Sequence, residues 1–159
     1  MAQTSDNLPF DLPANANLCR FLKPRHTRAE IPPLAVPDQV ENWHLKLGTH
    51  PDLIARLWHE LPSRLPVDCR RILYAAPVLI HPATGIVFGF ASGTHTYALR
   101  LPAAEHAEAL LAGAARIAHY SGGQPSFDLD GIGPEWVFGK WLPGEEAWCL
   151  AAFTFASAG

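Results

Sequence analysis

The chain has 159 residues, of which 48% are hydrophobic and 17% are charged, and its formal net charge is −3. This composition is typical of one globular domain with a core of its own, and it excludes a disordered chain. It also excludes a membrane-spanning helix, because no stretch approaches the roughly 20 apolar residues that a bilayer requires. The first residues lack the basic start and apolar run of a secretory signal, so we expect a cytoplasmic protein.

The charge distribution restricts the kinds of partner, and the spacing of the cysteines indicates their redox state. Residues 76–159 carry three cations and seven carboxylates, which gives a net charge of −4. Such a surface binds phosphate groups poorly, so we expect no nucleic-acid partner, and the lack of an apolar span predicts no membrane partner. Cys19, Cys69 and Cys149 share no CxxC spacing, which predicts reduced thiols that pack as small hydrophobic side chains.

The N-terminal region is polar at first and then basic. Residues 1–17 are aperiodic, which predicts a flexible tail ahead of a single domain over residues 18–159. The spacing of Leu18, Phe21 and Leu22 predicts one short helical turn. A proline-rich segment adjoins the one basic cluster of the chain, which consists of Arg20, Lys23, Arg25, His26 and Arg28. This cluster is either a solvated loop or a docking arm for an acidic partner, such as a second copy.

Two helical segments follow the proline-rich stretch. Apolar residues at helical spacing predict a first helix over 38–47, and Gly48 is suited to end it. Thr49 and Asp52 are spaced as a capping pair, so a second helix begins at Thr49 and ends before Pro62. A short connection between two such helices predicts an αα-hairpin.

The middle of the chain has the pattern of a β-meander. Turn clusters separate runs that are rich in Val, Ile, Phe and Tyr, and these runs predict strands at 77–81, 86–91 and 95–101. We expect Gly89 to lie opposite Tyr97, because the ring covers the missing side chain, and Leu79 to share a face with Phe90. Both faces are largely apolar, so we expect both to be covered.

The C-terminal half completes the architecture. An alanine-rich helix is predicted over 103–119, a strand over 136–141 and a last helix over 144–155. Glu145 and Glu146 suit the positive N-terminal end of that last helix. Together the elements predict an α+β fold, in which an N-terminal αα-hairpin precedes an antiparallel β-meander of three to five strands flanked by the alanine-rich and C-terminal helices.

No motif predicts a catalytic centre, a cofactor or a metal. The 8 histidines contain no ligand pair at the spacing of one helix face, so we expect no metal ion. No GxSxG motif or phosphate-binding loop is present, so we assign no catalytic residue and no cofactor. Asp128, Asp130 and Glu135 are either paired acids or an exposed acidic turn.

His81 and Arg100 form the first candidate ligand site. The expected register brings both residues near one edge of the same sheet face. Arg100 lies between two leucines, where its charge requires a partner. It either forms a salt bridge with a C-terminal carboxylate or, together with His81 and His95, binds an acidic ligand.

The tryptophans form the second candidate site, because Trp136, Trp141 and Trp148 lie within 13 positions. Tryptophan is common both in cores and at protein-binding surfaces, so Trp136 and Trp141 are candidate partner contacts. We expect Trp136 to be the more buried, since it shares a strand face with Phe138. Trp141 neighbours Lys140 and a Pro-Gly turn, so we expect it to be the more exposed.

Two functions remain open at this point. The favoured one is a small non-catalytic binding module that engages a protein partner, or a second copy, through the aromatic residues. A bacterial accessory or immunity-type protein has this size, acidity and lack of motifs. The alternative is a small enzyme that acts on an anionic metabolite with His81, His95, Arg100 and the carboxylates of residues 128–135. A concave pocket in which those groups converge would favour the enzyme.

Overall fold

The computed structural model describes residues 8–26, 28–93, 96–118 and 127–158, and it confirms the α+β class. The helices are α1 (Ala16–Leu22), α2 (Trp43–Lys46), α3 (Pro51–Ala55), α4 (Ala103–Ala112) and α5 (Glu145–Ser157). The strands are β1 (Leu34–Ala35), β2 (Arg70–Leu73), β3 (Ala76–Ile80), β4 (Val87–Ser92), β5 (Thr96–Arg100), β6 (Ile117–Ala118), β7 (Phe127–Asp128) and β8 (Trp136–Phe138).

The main sheet is antiparallel and has the strand order β1-β2-β3-β4-β5-β8. Its centre is the predicted meander, because β3, β4 and β5 match the expected strands to within one residue at each end. Strands β6 and β7 form a separate ribbon. Strands β1 and β2 are not predicted by the sequence pattern, because they are too short to show a clear period of two.

A bulge in β4 reverses the expected faces of β3. Leu79 pairs with Gly89 but Ile80 pairs with Val87, so Phe88 is an extra residue in β4. Leu79 therefore packs in the cluster on one face of the sheet, and Phe90 packs in the cluster on the other. The prediction that these two residues share a face was wrong, because a single inserted residue changes the side-chain alternation.

The pairing of β4 with β5 is shifted by two residues from the expected register. Gly89 pairs with Leu99 and not with Tyr97. Gly93 adopts a φ of 66°, a left-handed conformation that glycine enters easily, and this lets β4 continue to residue 92. An added Cβ on Gly89 would lie 3.2–3.3 Å from side-chain carbons of Leu79, Leu99 and Leu57, so close packing of the two neighbouring strands and of the helical layer explains this glycine.

Both faces of the sheet are covered, as predicted. One face packs against the segment 53–58 and α5, with the buried residues Leu53, Leu57, Trp58, Cys149 and Ala152. The other face packs against α1 and the segment 129–132, with the buried residues Leu18, Leu22, Leu129 and Ile132. The sheet is therefore an internal layer, and its ends are the places where it approaches the surface.

Two helices are shorter than predicted. Residues 37–39 form a 3-10 turn and Asn42 has a φ of 53°, so the first helix of the αα-hairpin is reduced to α2. Helix α4 ends at residue 112 and not at 119, because Gly113 adopts a φ of 117° and its N–H bonds back to Leu110. Helix α5 lies close to its predicted range.

The cap of the second hairpin helix differs by one residue from the prediction. The Nδ1 atom of His50 accepts a hydrogen bond of 3.0 Å from the N–H of Asp52, so His50 is the N-cap. The predicted cap, Thr49, is buried and forms a β-bridge with Gly93 instead. Thr49 therefore pairs with the sheet, although the sequence pattern predicted it as the N-cap of the helix.

Part of the predicted flexible tail is packed on the sheet. Residues 1–7 lie outside the described residues, but Pro13–Asn15 form a 3-10 turn that leads into α1. The side chain of Asn15 is buried, donates to the carbonyls of Phe10 (2.7 Å) and Gly85 (2.8 Å) and accepts from the N–H of Val87 (2.9 Å). Asn15 thus docks this segment on the sheet, where the sequence pattern predicts a loose tail.

Asn15 provides a direct test of this docking. We expect Asn15→Ala to lower the free energy of unfolding by about 2–4 kcal/mol, because three backbone groups lose their hydrogen-bond partner and two of these bonds are buried. Asn17→Ala is the matched control, since Asn17 is exposed and bonds only to Arg20 among the contacts of its side chain that the structure describes. Equal losses for the two variants in urea unfolding would contradict the docking.

Candidate functional site

The two ends of the sheet carry different candidate residues. Because neighbouring strands are antiparallel, the end of β4, the start of β5 and the end of β8 lie at one end of the sheet. Trp141 follows β8 at this end. His81 follows β3 and Arg100 ends β5 at the opposite end. Trp141 is therefore separate from His81 and Arg100, whereas the other aromatic candidate, Trp136, pairs with Arg100 across β5 and β8.

The chain crosses a tyrosine ring between β8 and α5. Gly139 lies against Tyr97 so closely that a Cβ on Gly139 would overlap the ring, and the Gly139 N–H donates to the Tyr97 carbonyl at 2.8 Å. Trp141 then adopts a φ of 57°, a left-handed conformation that costs a non-glycine residue roughly 1–2 kcal/mol. Strain of this kind persists only where the surrounding contacts hold it.

A buried carboxylate supplies those contacts. Glu145 is only 2% exposed and is the first residue of α5. Its oxygens accept hydrogen bonds from the Lys140 N–H (2.7 Å), from Nη2 of Arg56 (2.9 Å) and from the Tyr97 hydroxyl. The same hydroxyl accepts from the N–H of Trp141 at 2.7 Å. We call Arg56, Tyr97, Trp141 and Glu145 the Trp141 site.

Arg56 joins the helical layer to this site. It begins a wide, π-helical turn over Arg56–Glu60, in which the N–H of Leu61 bonds to the Arg56 carbonyl. Its guanidinium also pairs with Glu60 at 3.0 Å and lies 5.0 Å from the centre of the Trp141 ring. Single π-helical turns are often found at functional sites, where they re-aim a side chain.

The protonation states of Tyr97 and Arg56 are fixed near neutral pH. Burial, together with the hydrogen bond to Glu145, raises the pKa of the Tyr97 hydroxyl above its ordinary value of 10.0. Burial opposes the charge on Arg56, but its hydrogen bonds to Glu145, Tyr97 and Glu60 outweigh that effect and raise the pKa of Arg56. Tyr97 therefore stays neutral and Arg56 stays charged, so neither exchanges protons readily at pH 7.

Trp141 is the exposed member of the site. Its side chain is 50% exposed, and it is the only aromatic among the exposed large hydrophobic residues of the described part of the chain. The Tyr97 ring meets it edge-on at 5.7 Å between centroids. With Arg56 also beside it, the indole is held in one orientation while much of its surface faces solvent.

Trp136 differs from Trp141 in the way the sequence predicts. It is 2% exposed and packs edge-on against Phe90, with 5.4 Å between ring centroids. It lies, together with Phe138, in the hydrophobic cluster on the sheet face that packs against α1. The surface part of the predicted aromatic patch is therefore Trp141, and Trp136 belongs to the core.

His81 and Arg100 each contact a ring of α5. His81 is buried and stacks on Phe153, with 4.5 Å between ring centroids. Its Nδ1 atom accepts hydrogen bonds from the backbone N–H groups of residues 83 and 84, at 3.1 and 3.3 Å. The guanidinium of Arg100 lies 4.3 Å from the centre of the Phe155 ring. The third residue of this predicted site, His95, lies outside the described residues.

His81 predicts a pH dependence of stability. Burial lowers its pKa below the ordinary value of 6.5, so as the pH falls below that value the unfolded chain takes up this proton before the folded chain does. The free energy of unfolding should therefore fall as the pH drops from about 6.5 through the lowered pKa. His81→Asn keeps an acceptor for the turn but does not titrate.

The comparison of the two chains isolates this histidine from the others. We expect wild type to lose more stability than His81→Asn between about pH 7.5 and pH 5.0 in urea unfolding. The same pH slope in both chains would show that His81 keeps its ordinary pKa.

Only part of the predicted acidic cluster lies within the described residues. The backbone of Asp128 ends β7 and that of Asp130 lies in a 3-10 turn, while the side chains of both lie outside the described part of the structure. The carbonyl of Glu135 accepts from the N–H of Leu101 at 2.9 Å. Within the described residues, no group of three or more His, Cys, Asp or Glu side chains is placed to hold a metal ion.

Sequence reasoning did not identify three members of the Trp141 site. It assigned Glu145 only to the charge preference of a helix start, Tyr97 to a cross-strand pair and Arg56 to no role. Arg56 and Glu145 are 89 positions apart, and Tyr97 is 48 positions from Glu145. The one local signal was the Pro143-Gly144 turn together with Lys140, which predicted an exposed Trp141.

The described helices do not include one that is long and apolar enough to cross a membrane. No protein-family model, no curated protein and no solved structure matches this chain.

Proposed function

We propose that this chain is a non-catalytic protein-binding module and that Trp141 is its principal contact residue. The observation that carries the proposal is a 50% exposed indole on a strained backbone, held by a buried carboxylate network. A surface tryptophan is normally free to rotate, but this one is fixed between Tyr97 and Arg56. Fixing a side chain before binding reduces the conformational entropy that association costs.

The residue types support binding more than catalysis. Tryptophan, tyrosine and arginine are the residues most enriched where protein interfaces have their highest binding energy. The raised pKa values of Tyr97 and Arg56 leave neither group suited to proton transfer near pH 7. Glu145 already accepts three hydrogen bonds from the protein. In this proposal the network orients Trp141 and takes no part in a reaction.

We take the partner to be another protein, with a second copy of this chain as the alternative occupant. An accessory or immunity-type protein of a bacterium has the required size and acidity. The cysteines are unpaired, and two of the three are buried, which fits a reducing compartment such as the cytoplasm.

Affinity capture at natural expression levels in the native host tests the proposal. Wild type, Trp141→Ala and Leu111→Ala are compared, because Leu111 is a 91% exposed apolar residue on α4 and serves as the matched control. We expect wild type and Leu111→Ala to recover the same protein and Trp141→Ala to lose it. If the occupant is a second copy, sedimentation velocity of the purified chains should show the same ordering. Identical recovery and identical sedimentation for all three would overturn the proposal.

A further inference from the structure

A second feature, independent of Trp141, lies at the same end of the sheet. A cavity of about 360 Å³ extends from the β2–β3 turn to the end of β4 and is open on one side. The polar residues that line it are Arg25, Arg28, Lys46, Thr49, Tyr74 and Ser92, of which three are cationic and three carry a hydroxyl group. The described residues that line it include no carboxylate. Its volume is in the range of sites for small molecules.

The positive charge in this pocket is only weakly compensated. The guanidinium of Arg25 lies 3.8 Å from the centre of the Phe21 ring and donates to the Phe21 carbonyl at 2.6 Å, contacts that orient it without neutralising it. Arg28 approaches Glu30 at 3.9 Å, but both side chains are about half exposed, at 49% and 52%. An ion pair of this kind contributes little, so the field of the three cations remains available to an anion.

The β2–β3 turn that closes one side of the pocket is strained. Tyr74 and Ala75 both line the pocket and have φ values of 48° and 65°. Asparagine and glycine are the usual residues for such a turn, because other side chains crowd the backbone there. The Tyr74 ring is positioned by Phe10 and His26, with centroids 6.2 and 5.9 Å away. Backbone strain of this kind clusters at ligand sites.

We propose that this pocket binds a small organic phosphate. Three cations around a concave site match a multivalent anion, and phosphate oxygens accept hydrogen bonds from guanidinium, ammonium and hydroxyl groups alike. In this proposal Arg25 and Arg28 bind the phosphate. The sequence pattern had left open that their cluster is a docking arm for an acidic partner. It does not depend on the Trp141 site, and it lies at the opposite end of the sheet from His81 and Arg100.

Titration with pyrophosphate at constant ionic strength tests the proposal, followed by calorimetry and by backbone amide chemical shifts. Lys46→Gln and Arg28→Gln each remove one charge from the pocket. Arg64→Gln removes one charge outside the lining, from a side chain that is 65% exposed, and is the matched control. A hexaglutamate peptide is titrated in parallel to test an acidic protein segment as the occupant. Circular dichroism confirms that each variant is folded.

We expect saturable pyrophosphate binding with shifts at pocket amides such as Gly48 and Gly93. Lys46→Gln and Arg28→Gln should each weaken it about tenfold, and Arg64→Gln less than about twofold. No saturation by about 10 mM pyrophosphate would overturn the proposal. So would equal weakening by all three variants, or an unchanged affinity in both pocket variants. Tighter binding of hexaglutamate would replace the phosphate with an acidic protein segment.

Discussion

Glu145→Ala should lower the free energy of unfolding by about 3–5 kcal/mol, the usual cost of removing one partner from a buried ion pair. Glu145 is 2% exposed and the Arg56 side chain 17% exposed, so solvent replaces little of what is lost. The variant leaves the Arg56 charge, the Tyr97 hydroxyl and the Lys140 N–H without their common acceptor. Urea unfolding of the two chains measures the difference.

The neighbouring carboxylate is the control for this variant. Glu146 has a 48% exposed side chain whose ion pair, with Arg64, is long at 3.9 Å. We expect Glu146→Ala to change the free energy of unfolding by no more than about 1 kcal/mol. The double variant Arg56→Met/Glu145→Leu should recover part of the loss, because it removes both buried charges together. If Glu145→Ala cost no more than Glu146→Ala, the network would not be holding the loop.

Trp136→Ala should also cost about 3–5 kcal/mol, the usual loss for a large buried aromatic side chain. Trp136 is 2% exposed and packs against Phe90, so its removal leaves a cavity that rigid strands cannot fill. Trp141→Ala should cost about 1 kcal/mol or less, since the indole is half exposed and alanine bears the same left-handed strain. Thermal or urea unfolding separates the two.

Iodide quenching provides a second measurement of this difference. In variants whose single remaining tryptophan is Trp141 or Trp136, the fluorescence of Trp141 should be quenched strongly and that of Trp136 weakly. Equal protection of both indoles in the monomer would exclude an interaction surface at this strand.

The sequence predicted elements where a local pattern was strong and failed where one residue interrupted it. Strands β4 and β5 are long runs of apolar and β-branched residues between turn clusters, and α5 begins with two acids. The pairing registers of β3 with β4 and of β4 with β5 depended on the bulge at Phe88 and on the left-handed Gly93. Each is a feature of one residue, so it leaves no periodic pattern in the sequence. Gly113 ended α4 early by the same kind of single-residue effect.

The candidate site was predictable only in its exposed part. Turn residues around Trp141 indicated exposure, and the strand pattern at Trp136 indicated burial. The residues that hold Trp141 come from three elements that are distant along the chain. Arg56 lies after α3, Tyr97 lies in β5 and Glu145 begins α5. The docking of Asn15 was equally hard to predict. Its hydrogen-bond partners Gly85 and Val87 are separated from it by 70 and 72 positions along the chain. Pairings of this range are fixed by the topology, which no local pattern encodes.

The most direct test of a binding role for Trp141 is the dissociation constant for the captured partner, measured with wild type, Trp141→Ala and Leu111→Ala. A fixed indole at the centre of an interface predicts that Trp141→Ala binds at least about 30-fold more weakly, while Leu111→Ala binds as wild type does. The free energy of unfolding of Trp141→Ala should stay within about 1 kcal/mol of wild type. An unchanged dissociation constant, or a stability loss as large as that of Trp136→Ala, would contradict the role assigned to Trp141.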